Sequence, residues 1–188
     1  MRASGDNLFM NLRRPGEGPY ARVERECRWT VARLPADARR TAEILDRYIS
    51  GTRLRLRRLE TAQGVTLKLG QKIRVEPTDP EVVKLTNIYL DGAEYDLLAG
   101  LPAAELRKTR WHARWEGVDV AIDEFHDRLE GLLLAEVELD PDDVRGTAPS
   151  FAVRDVTNED RFSGGALAFA SDDVLKSLIQ EAGVAGRD

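Results

Sequence analysis

Two pairs of glutamates, each spaced by two residues, have the clearest capacity for chemistry in this sequence. Glu24 and Glu26 lie near the start of the chain, and Glu136 and Glu138 lie near its end. Both pairs fall in stretches where apolar and charged residues alternate, which predicts β-strands. Because residues i and i+2 of a strand share one face, each pair points two carboxylates in the same direction. Such groups suit a hard divalent cation such as Mg²⁺ or Mn²⁺.

Basic residues form rows of the same kind on other predicted strands. They are Arg53, Arg55 and Arg57 in one alternating stretch, Lys68 in the next, and Lys108 with Arg110 in a third. A basic row that faces an acidic row across a metal ion suits a polyphosphate, because the metal and the Arg and Lys side chains all neutralise phosphate oxygens.

Each charged face, taken alone, has a simpler explanation as the solvated outer face of an ordinary sandwich or barrel. Two features of the set argue against it. Charges on an exposed face are usually mixed in sign, whereas these are sorted by strand, and three arginines in a row repel one another. The acidic pairs also lie at the two ends of the β-rich region. We therefore predict that these faces line a wet interior filled by a charged ligand, since burying them empty would be prohibitively costly.

Predicted strands outnumber predicted helices and are joined by short turns, which indicates an all-antiparallel β or α+β fold. The alternating stretches cover residues 20–31, 51–60, 64–72, 81–90, 104–115, 118–127 and 132–140. Helical spacing or capping signals predict helices over 34–49, 91–102 and 171–183, and residues 148–170 have no regular pattern. We expect the strands to close into a barrel whose charged faces line the interior and whose apolar faces pack outward against the helices.

Length and composition predict one soluble domain. The 188 residues suit a single core, and we expect residues 1–19 to be a flexible lead-in to a domain over 20–188. A net charge of −5 argues against non-specific nucleic-acid binding, and the single cysteine, Cys27, excludes an intrachain disulfide and a cysteine-based zinc site. No run of 18 apolar residues and no long apolar N-terminal segment occurs, so we expect a cytoplasmic protein without a membrane partner.

The order of the charged motifs resembles the CYTH superfamily, the triphosphate tunnel metalloenzymes. The motifs that carry the resemblance are Glu24-Arg25-Glu26-Cys27-Arg28, Arg53-Leu54-Arg55, Thr66-Leu67-Lys68, Lys108-Thr109-Arg110 and Ala135-Glu136-Val137-Glu138-Leu139. The stretch Ile122–Phe125 resembles the Asp-bearing strand of the family, and residues 160–168 resemble its late loop. The match spans residues 20–170. Its specificity comes from the ordered series, because no single motif is specific.

The resemblance implies an eight-stranded antiparallel tunnel that hydrolyses or rearranges a triphosphate with Mg²⁺ or Mn²⁺. The implied metal-binding residues are Glu24, Glu26, Asp123, Glu136 and Glu138, with Asp123 either a ligand or a group behind the ligands. The implied phosphate-binding residues are Arg28, Arg53, Arg55, Arg57, Lys68, Lys108 and Arg110, with Arg57 the weaker candidate. Glu24, Glu26 and Arg28 would be catalytic. Arg28 stands where the family usually has lysine; it keeps the charge that binds phosphate but cannot lose a proton.

Three classes of function follow from this pattern. The first is an inorganic triphosphatase, favoured because no motif indicates a pocket for a base or a ribose. The second is a nucleotide-directed enzyme on the same scaffold, such as a class IV-type adenylate cyclase or a thiamine- or nucleoside-triphosphatase. The third is a non-catalytic module that binds polyphosphate. In each class the partner is a small-molecule triphosphate or polyphosphate, not nucleic acid, and the chain is a monomer or a homodimer.

The other reactive side chains have structural explanations. Cys27 lies on the face of its strand opposite the glutamates, so we expect a buried packing residue rather than a nucleophile. His112 and His126 lack the spacing of metal ligands. The three tryptophans fall on the expected outer faces of their strands, where packing explains them better than base stacking does.

Overall fold

The computed structural model describes residues 20–76, 79–139 and 147–183. This part of the chain contains nine strands: β1 (Arg22–Val31), β2 (Arg39–Ile49), β3 (Leu54–Thr61), β4 (Gly64–Glu76), β5 (Asp79–Tyr89), β6 (Ala103–Trp115), β7 (Val118–Phe125), β8 (Leu133–Leu139) and β9 (Ala152–Asp155). It also contains the helices α1 (Gly92–Ala99), α2 (Gly164–Phe169) and α3 (Asp172–Glu181), with short 3₁₀ turns at Asp127–Leu129 and Asp160–Phe162. No helix in these ranges is both long and apolar enough to cross a membrane.

Eight of the strands form a closed antiparallel barrel. Their order is β5, β4, β3, β2, β6, β7, β8 and β1, and β1 closes the ring by pairing with β5. β9 lies outside the ring and pairs with the last residues of β1. β1 has three neighbours because Arg22–Arg25 pair with β5, Arg25–Thr30 with β8 and Trp29–Val31 with β9. The closed eight-stranded barrel confirms the predicted fold class.

Two hairpins of the barrel depend on glycine at positions where the backbone has a positive φ. Gly64 (φ +132°) begins β4 after the turn from β3, and Gly117 (φ +85°) lies in the turn between β6 and β7. Residues with a Cβ rarely adopt such angles, so glycine favours a tight reversal at these points. Gly117 falls between the predicted stretches 104–115 and 118–127, and Gly64 is the first residue of the predicted stretch 64–72.

The helix α1 begins as its sequence predicts. The Asp91 side chain accepts a hydrogen bond from the Glu94 backbone N–H at 2.9 Å, and the Glu94 side chain accepts one from the Asp91 N–H at 2.9 Å. This reciprocal capping box satisfies two backbone donors at the start of the helix. α1 packs against β3 and β4 on the outside of the barrel and buries Tyr95.

The predicted helix over residues 34–49 is wrong. Arg39–Ile49 form β2, which pairs with β3 on one side and with β6 on the other. Ala42 and Ile44 are buried on the inward face, while Ile49 is buried on the outward face, so apolar residues occur on both sides of the strand. Pairing along both edges outweighs the helical spacing of these residues. Residues 148–170, predicted to be irregular, include β9 and α2.

Two apolar clusters support the barrel. One lies on its outer surface around Cys27, Trp29, Ile122 and Val137, and the non-helical residues Leu34, Ala38, Phe151 and Ala152 cover it. The other joins the inward side chains of Phe125 and Leu134 to Leu167 of α2 and to Leu175 and Leu178 of α3. The expectation that helices cover the outer apolar faces is therefore correct for α1 only. α2 instead contacts β6, and α3 contacts the turn Asp127–Leu129, within the cluster that includes the inward side chains.

Candidate active site

The inward faces of the strands enclose a cavity of about 530 Å³. The charged side chains that line it are Glu24, Glu26, Arg28, Arg53, Arg55, Arg57, Lys68, Lys72, Arg74, Lys108, Arg110, Glu136 and Glu138. Every residue that the sequence analysis assigned to the site is in this set except Asp123, which is 1% exposed and lies behind Lys108 and Arg110. The structure therefore brings the predicted residues together, while their individual roles stay predictions.

Four residues at the site were not predicted. Lys72 and Arg74 continue the inward row of β4 beyond Lys68 and Gly70, and their spacing in the sequence is a signal that could have found them. Asp46 and Tyr48 lie on the inward row of β2. They were missed because a helix was predicted for that segment. The strand period of two therefore locates the first pair, whereas the second pair requires the correct secondary structure.

Two buried aspartates neutralise part of the basic wall. Asp123 accepts hydrogen bonds from Lys108 Nζ at 2.5 Å and from Arg110 Nε and Nη2 at 2.7 and 2.8 Å. Asp46 accepts two from Arg57, each at 2.6 Å. Burial raises the pKa of each carboxyl, but the adjacent cations outweigh it, so both pKa values lie below the usual range. In this arrangement both aspartates are counter-ions behind the cavity wall.

Arg28 and Glu136 form an ion pair across β1 and β8. Arg28 Nε donates to Glu136 Oε1 at 2.9 Å, and Arg28 Nη1 donates to the carbonyl oxygen of Phe162 at 3.1 Å. Arg28 Nη2 also lies 3.4 Å from Glu26 Oε2, and Arg110 Nη2 lies 3.3 Å from Glu136 Oε2. Burial raises the pKa of Glu136, but Arg28, Lys108 and Arg110 hold it well below its ordinary value. The guanidinium of Arg28 thus reaches three acceptors, which its fork of donors permits.

Three glutamates form what we term the carboxylate cluster: Glu24, Glu26 and Glu138. Glu26 is directly opposite Glu138 across the β1–β8 ladder, and Glu24 is two residues along on the same face. Burial raises the pKa of Glu24, and the negative charge of Glu138 raises it further. Lys72 contacts Glu26 and offsets part of this repulsion. The cluster is therefore a place where a cation would relieve like-charge repulsion.

The donor set of the carboxylate cluster fits a hard divalent cation, because it offers carboxylate oxygens from adjacent strands. Glu136 and Asp123 fit less well, because Arg28, Lys108 and Arg110 already occupy their oxygens. Within the described ranges, no three carboxylate, imidazole or thiol groups lie close enough together to form a ready-made metal site. Metal binding here would therefore require the glutamate side chains to converge.

The basic wall is not neutralised evenly. Arg53 and Lys68 form no ion pair with any residue that the structure describes, and Arg55 Nε lies 3.7 Å from Asp46. The pKa of Lys68 is lowered to about 8, because burial disfavours its charged form and Arg57 and Arg55 repel it. Arg53, Arg55 and Lys68 are therefore the lining cations whose charge is most available to an anion.

The other section of the cavity is apolar and closely packed. Phe125, Leu134 and Phe162 line it together with Tyr48. The Tyr48 ring lies against the start of α2, where a Cβ on Gly164 would be 2.0 Å from the phenol oxygen. Burial raises the pKa of Tyr48 to about 12, and the nearby charge of Asp46 acts in the same direction. Tyr48 is therefore a neutral phenol between the basic wall and the apolar section.

The side chains for which the sequence predicted structural roles lie away from the cavity lining. Cys27 is fully buried in the outer apolar cluster, as the strand pattern predicted. His126 Nε2 lies 2.8 Å from Thr109 Oγ1, which in turn donates to Glu43 Oε1 at 2.7 Å on the outer face. His112 is exposed. Trp29, Trp111 and Trp115 belong to or pack against the outer apolar cluster.

The sequence matches no known family profile. It matches no curated protein either. Solved structures do resemble the fold. One described as the inorganic triphosphatase NE1496 has a TM-score of 0.54 at 21% identity, covering 79% of this chain and 95% of that one. A second structure of NE1496, described as a hypothetical protein, has a TM-score of 0.55 at 21% identity, covering 78% and 98%.

A third resemblance is weaker. The PH1819 protein from Pyrococcus horikoshii OT3 has a TM-score of 0.45 at 16% identity, covering 86% of this chain and 91% of that one. The two NE1496 structures match this chain over almost their full length. The chain therefore shares the fold of NE1496.

Proposed function

We propose that this protein hydrolyses inorganic tripolyphosphate with the help of Mg²⁺ or Mn²⁺. The observation that carries the proposal is a basic wall and a carboxylate cluster that line one cavity inside the barrel. NE1496, which has the same fold, is described as an inorganic triphosphatase, and this supports the same choice of substrate here.

The charge of the cavity supports a highly charged inorganic substrate. Nine cations line it: Arg28, Arg53, Arg55, Arg57, Lys68, Lys72, Arg74, Lys108 and Arg110. Six carboxylates line it or lie directly behind it: Glu24, Glu26, Asp46, Asp123, Glu136 and Glu138. The described wall therefore has an excess of three positive charges. Fully ionised tripolyphosphate carries about five negative charges, about two on each terminal phosphate above its second pKa, near 6, and one on the internal phosphate. One divalent cation lowers this to about three, which complements the excess.

The residues of the chain would divide the work by position. Arg53, Arg55 and Lys68 would bind phosphate oxygens, because their charges are the least neutralised in the free protein. The carboxylate cluster would hold the divalent cation, which when bound supplies charge neutralisation and orients a water for in-line attack. We expect water rather than a side chain to attack, since Cys27 faces away from the cavity.

The proposal is tested by incubating the purified protein with Mg²⁺ or Mn²⁺ and tripolyphosphate, ATP or thiamine triphosphate. Orthophosphate and pyrophosphate from tripolyphosphate, with little from the other two, is the expected result. Cyclic AMP with pyrophosphate from ATP would instead identify a cyclase. Tight binding without turnover of any substrate would identify a binding module.

The role of the glutamates is tested in the same assay. Glu24→Gln combined with Glu26→Gln should abolish turnover and largely spare tripolyphosphate binding, because the basic wall remains. Glu130→Gln is the matched control, because Glu130 is exposed outside the cavity. Unchanged turnover in the double variant would refute the assignment of these glutamates to the metal.

A further inference from the structure

Asp46 is a fully buried carboxylate in the wall of the barrel, and its role was not predicted. It lies on the inward row of β2, directly opposite Arg57 on β3 and Leu106 on β6, and is 0% exposed. An isolated buried carboxylate is costly, so a position like this requires strong compensation. The cations that compensate it, Arg57 and Arg55, both line the cavity.

The contact between Asp46 and Arg57 is bidentate. Arg57 Nε donates to Asp46 Oδ1 and Arg57 Nη2 donates to Asp46 Oδ2, each at 2.6 Å. Two parallel hydrogen bonds fix the plane of the guanidinium as well as its position. They use two of its five N–H groups and leave three available to other acceptors. Since Arg57 lines the cavity and is only 6% exposed, those donors are held beside any ligand inside it.

Asp46 also influences a second lining cation. Arg55 Nε lies 3.7 Å from Asp46 Oδ1, on the same inward row as Arg57. The carboxylate therefore stands between two arginines that would otherwise repel each other across a low-dielectric wall. Asp46 accepts two hydrogen bonds from Arg57, whereas Arg55 comes no closer than an ion-pair distance of 3.7 Å.

We propose that Asp46 is a positioning residue, which locks the Arg57 guanidinium in the plane needed to contact a phosphate of the substrate. The inference rests on the proposed function, because it concerns the orientation of a phosphate-binding group. It assigns Arg57 a fixed, oriented contact with phosphate, whereas the sequence analysis treated Arg57 as the weaker phosphate-binding candidate. Asp46 itself touches no substrate.

The proposal predicts an unusual separation of binding from turnover. In an Asp46→Asn variant, Arg57 would lose its counter-ion in the free protein but could recover one from a bound polyphosphate. Affinity for tripolyphosphate should therefore be retained or increased. Turnover should fall by about ten- to a hundredfold, because the guanidinium is no longer held in one orientation. A residue with only a structural role would lower the amount of folded protein without separating these two quantities.

The experiment compares wild type, Asp46→Asn and the control Asp119→Asn, whose exposed carboxylate lies 3.4 Å from Arg114 outside the cavity. The measurements are kcat and KM for tripolyphosphate, and the rise in Tm on adding tripolyphosphate. Asp46→Asn should show a lower kcat, an unchanged or lower KM and a larger ligand-induced rise in Tm than wild type. A kcat like that of the control, or a raised KM with unchanged kcat, would overturn the proposal.

A second comparison tests whether Asp46 acts through Arg57 and remains valid if Asp46→Asn alone does not fold. Arg57→Gln and the double variant Asp46→Asn with Arg57→Gln should have the same kcat within about twofold, since sites that act as one unit are non-additive. A further large loss of kcat in the double variant would show that Asp46 acts otherwise. If the wild-type protein neither binds nor hydrolyses tripolyphosphate, the proposed function itself fails. That result is distinguishable from a failure of the Asp46 proposal, which requires an active wild type.

Discussion

Glu26 on β1 lies directly opposite Glu138 on β8, and both side chains line the cavity. Like charges in this position destabilise a sheet by about 0.2–1 kcal/mol. Glu138→Gln should therefore raise the free energy of unfolding by about that amount in the presence of a chelator. The same variant should lose most of the stabilisation that Mn²⁺ gives to wild type, because the carboxylate cluster has lost a donor.

Chemical unfolding with and without Mn²⁺ measures both effects of Glu138→Gln. Glu130→Gln is the control, because Glu130 is exposed and lies outside the cavity. Full retention of the Mn²⁺ effect in Glu138→Gln would remove Glu138 from the proposed metal site.

Arg55 and Arg58 lie three residues apart on β3 but face opposite sides of the barrel. Arg55→Ala should weaken tripolyphosphate binding by about 1–3 kcal/mol, the value of a lost charge-assisted hydrogen bond, and Arg53→Ala should do the same. Arg58→Ala should leave binding unchanged, since Arg58 pairs with the exposed Glu60 on the outer face. Calorimetric titration distinguishes these outcomes. Equal affinity in Arg55→Ala and Arg58→Ala would exclude Arg55 from the site.

The faces of the strands could be predicted because side-chain direction depends only on a period of two. Glu24, Glu26 and Arg28 share the cavity face whatever the exact ends of β1, and so do Glu136 and Glu138 on β8. The capping box of Asp91 and Glu94 was equally visible, because it is encoded within four residues. Local patterns of this kind predict side-chain direction and helix ends correctly even when the rest of the fold is unknown.

The pairing of charges could not be predicted, because it depends on which strands become neighbours and in what register. Asp46 meets Arg57 only because β2 pairs with β3, and Asp123 meets Arg110 only because β6 pairs with β7 in one alignment. The apolar residues of β2 also occur at helical spacing, so the sequence placed Asp46 on a helix. Long-range pairing resolved an ambiguity that the local pattern contained.

The pH dependence of binding should depend on Lys68. Its pKa is lowered to about 8, and a bound polyphosphate favours the charged form, so binding above pH 8 requires uptake of a proton. Affinity for tripolyphosphate should therefore fall by up to about tenfold per pH unit above pH 8. Lys68→Arg should remove this dependence, because arginine keeps its proton. Titration at pH 7, 8 and 9 measures it, and a parallel decline in both proteins would contradict the role of Lys68.

The stability of the free protein should change with pH in the opposite sense. Between pH 8 and the ordinary lysine pKa of 10.5, the unfolded chain holds the proton that folded Lys68 has lost. The unfolded state then binds more protons, so Lys68 contributes a rise in stability with increasing pH over this range. Lys68→Arg should lack that contribution. Denaturant unfolding of both proteins across pH 8–10 compares them, and identical slopes would show that Lys68 is not perturbed.

Gly164 and Gly165 are adjacent at the start of α2, but only Gly164 has no room for a side chain. A Cβ on Gly164 would lie 2.0 Å from the phenol oxygen of Tyr48, whereas a Cβ on Gly165 would lie no closer than 3.6 Å to the Tyr48 ring. Gly164→Ala should therefore displace Tyr48 and lower stability by about 1–3 kcal/mol, as overpacking does. Gly165→Ala should be nearly neutral. Thermal unfolding measures the Tm of each variant, and Gly164→Ala should have the lower value. Equal Tm values would show that Tyr48 is not fixed against Gly164.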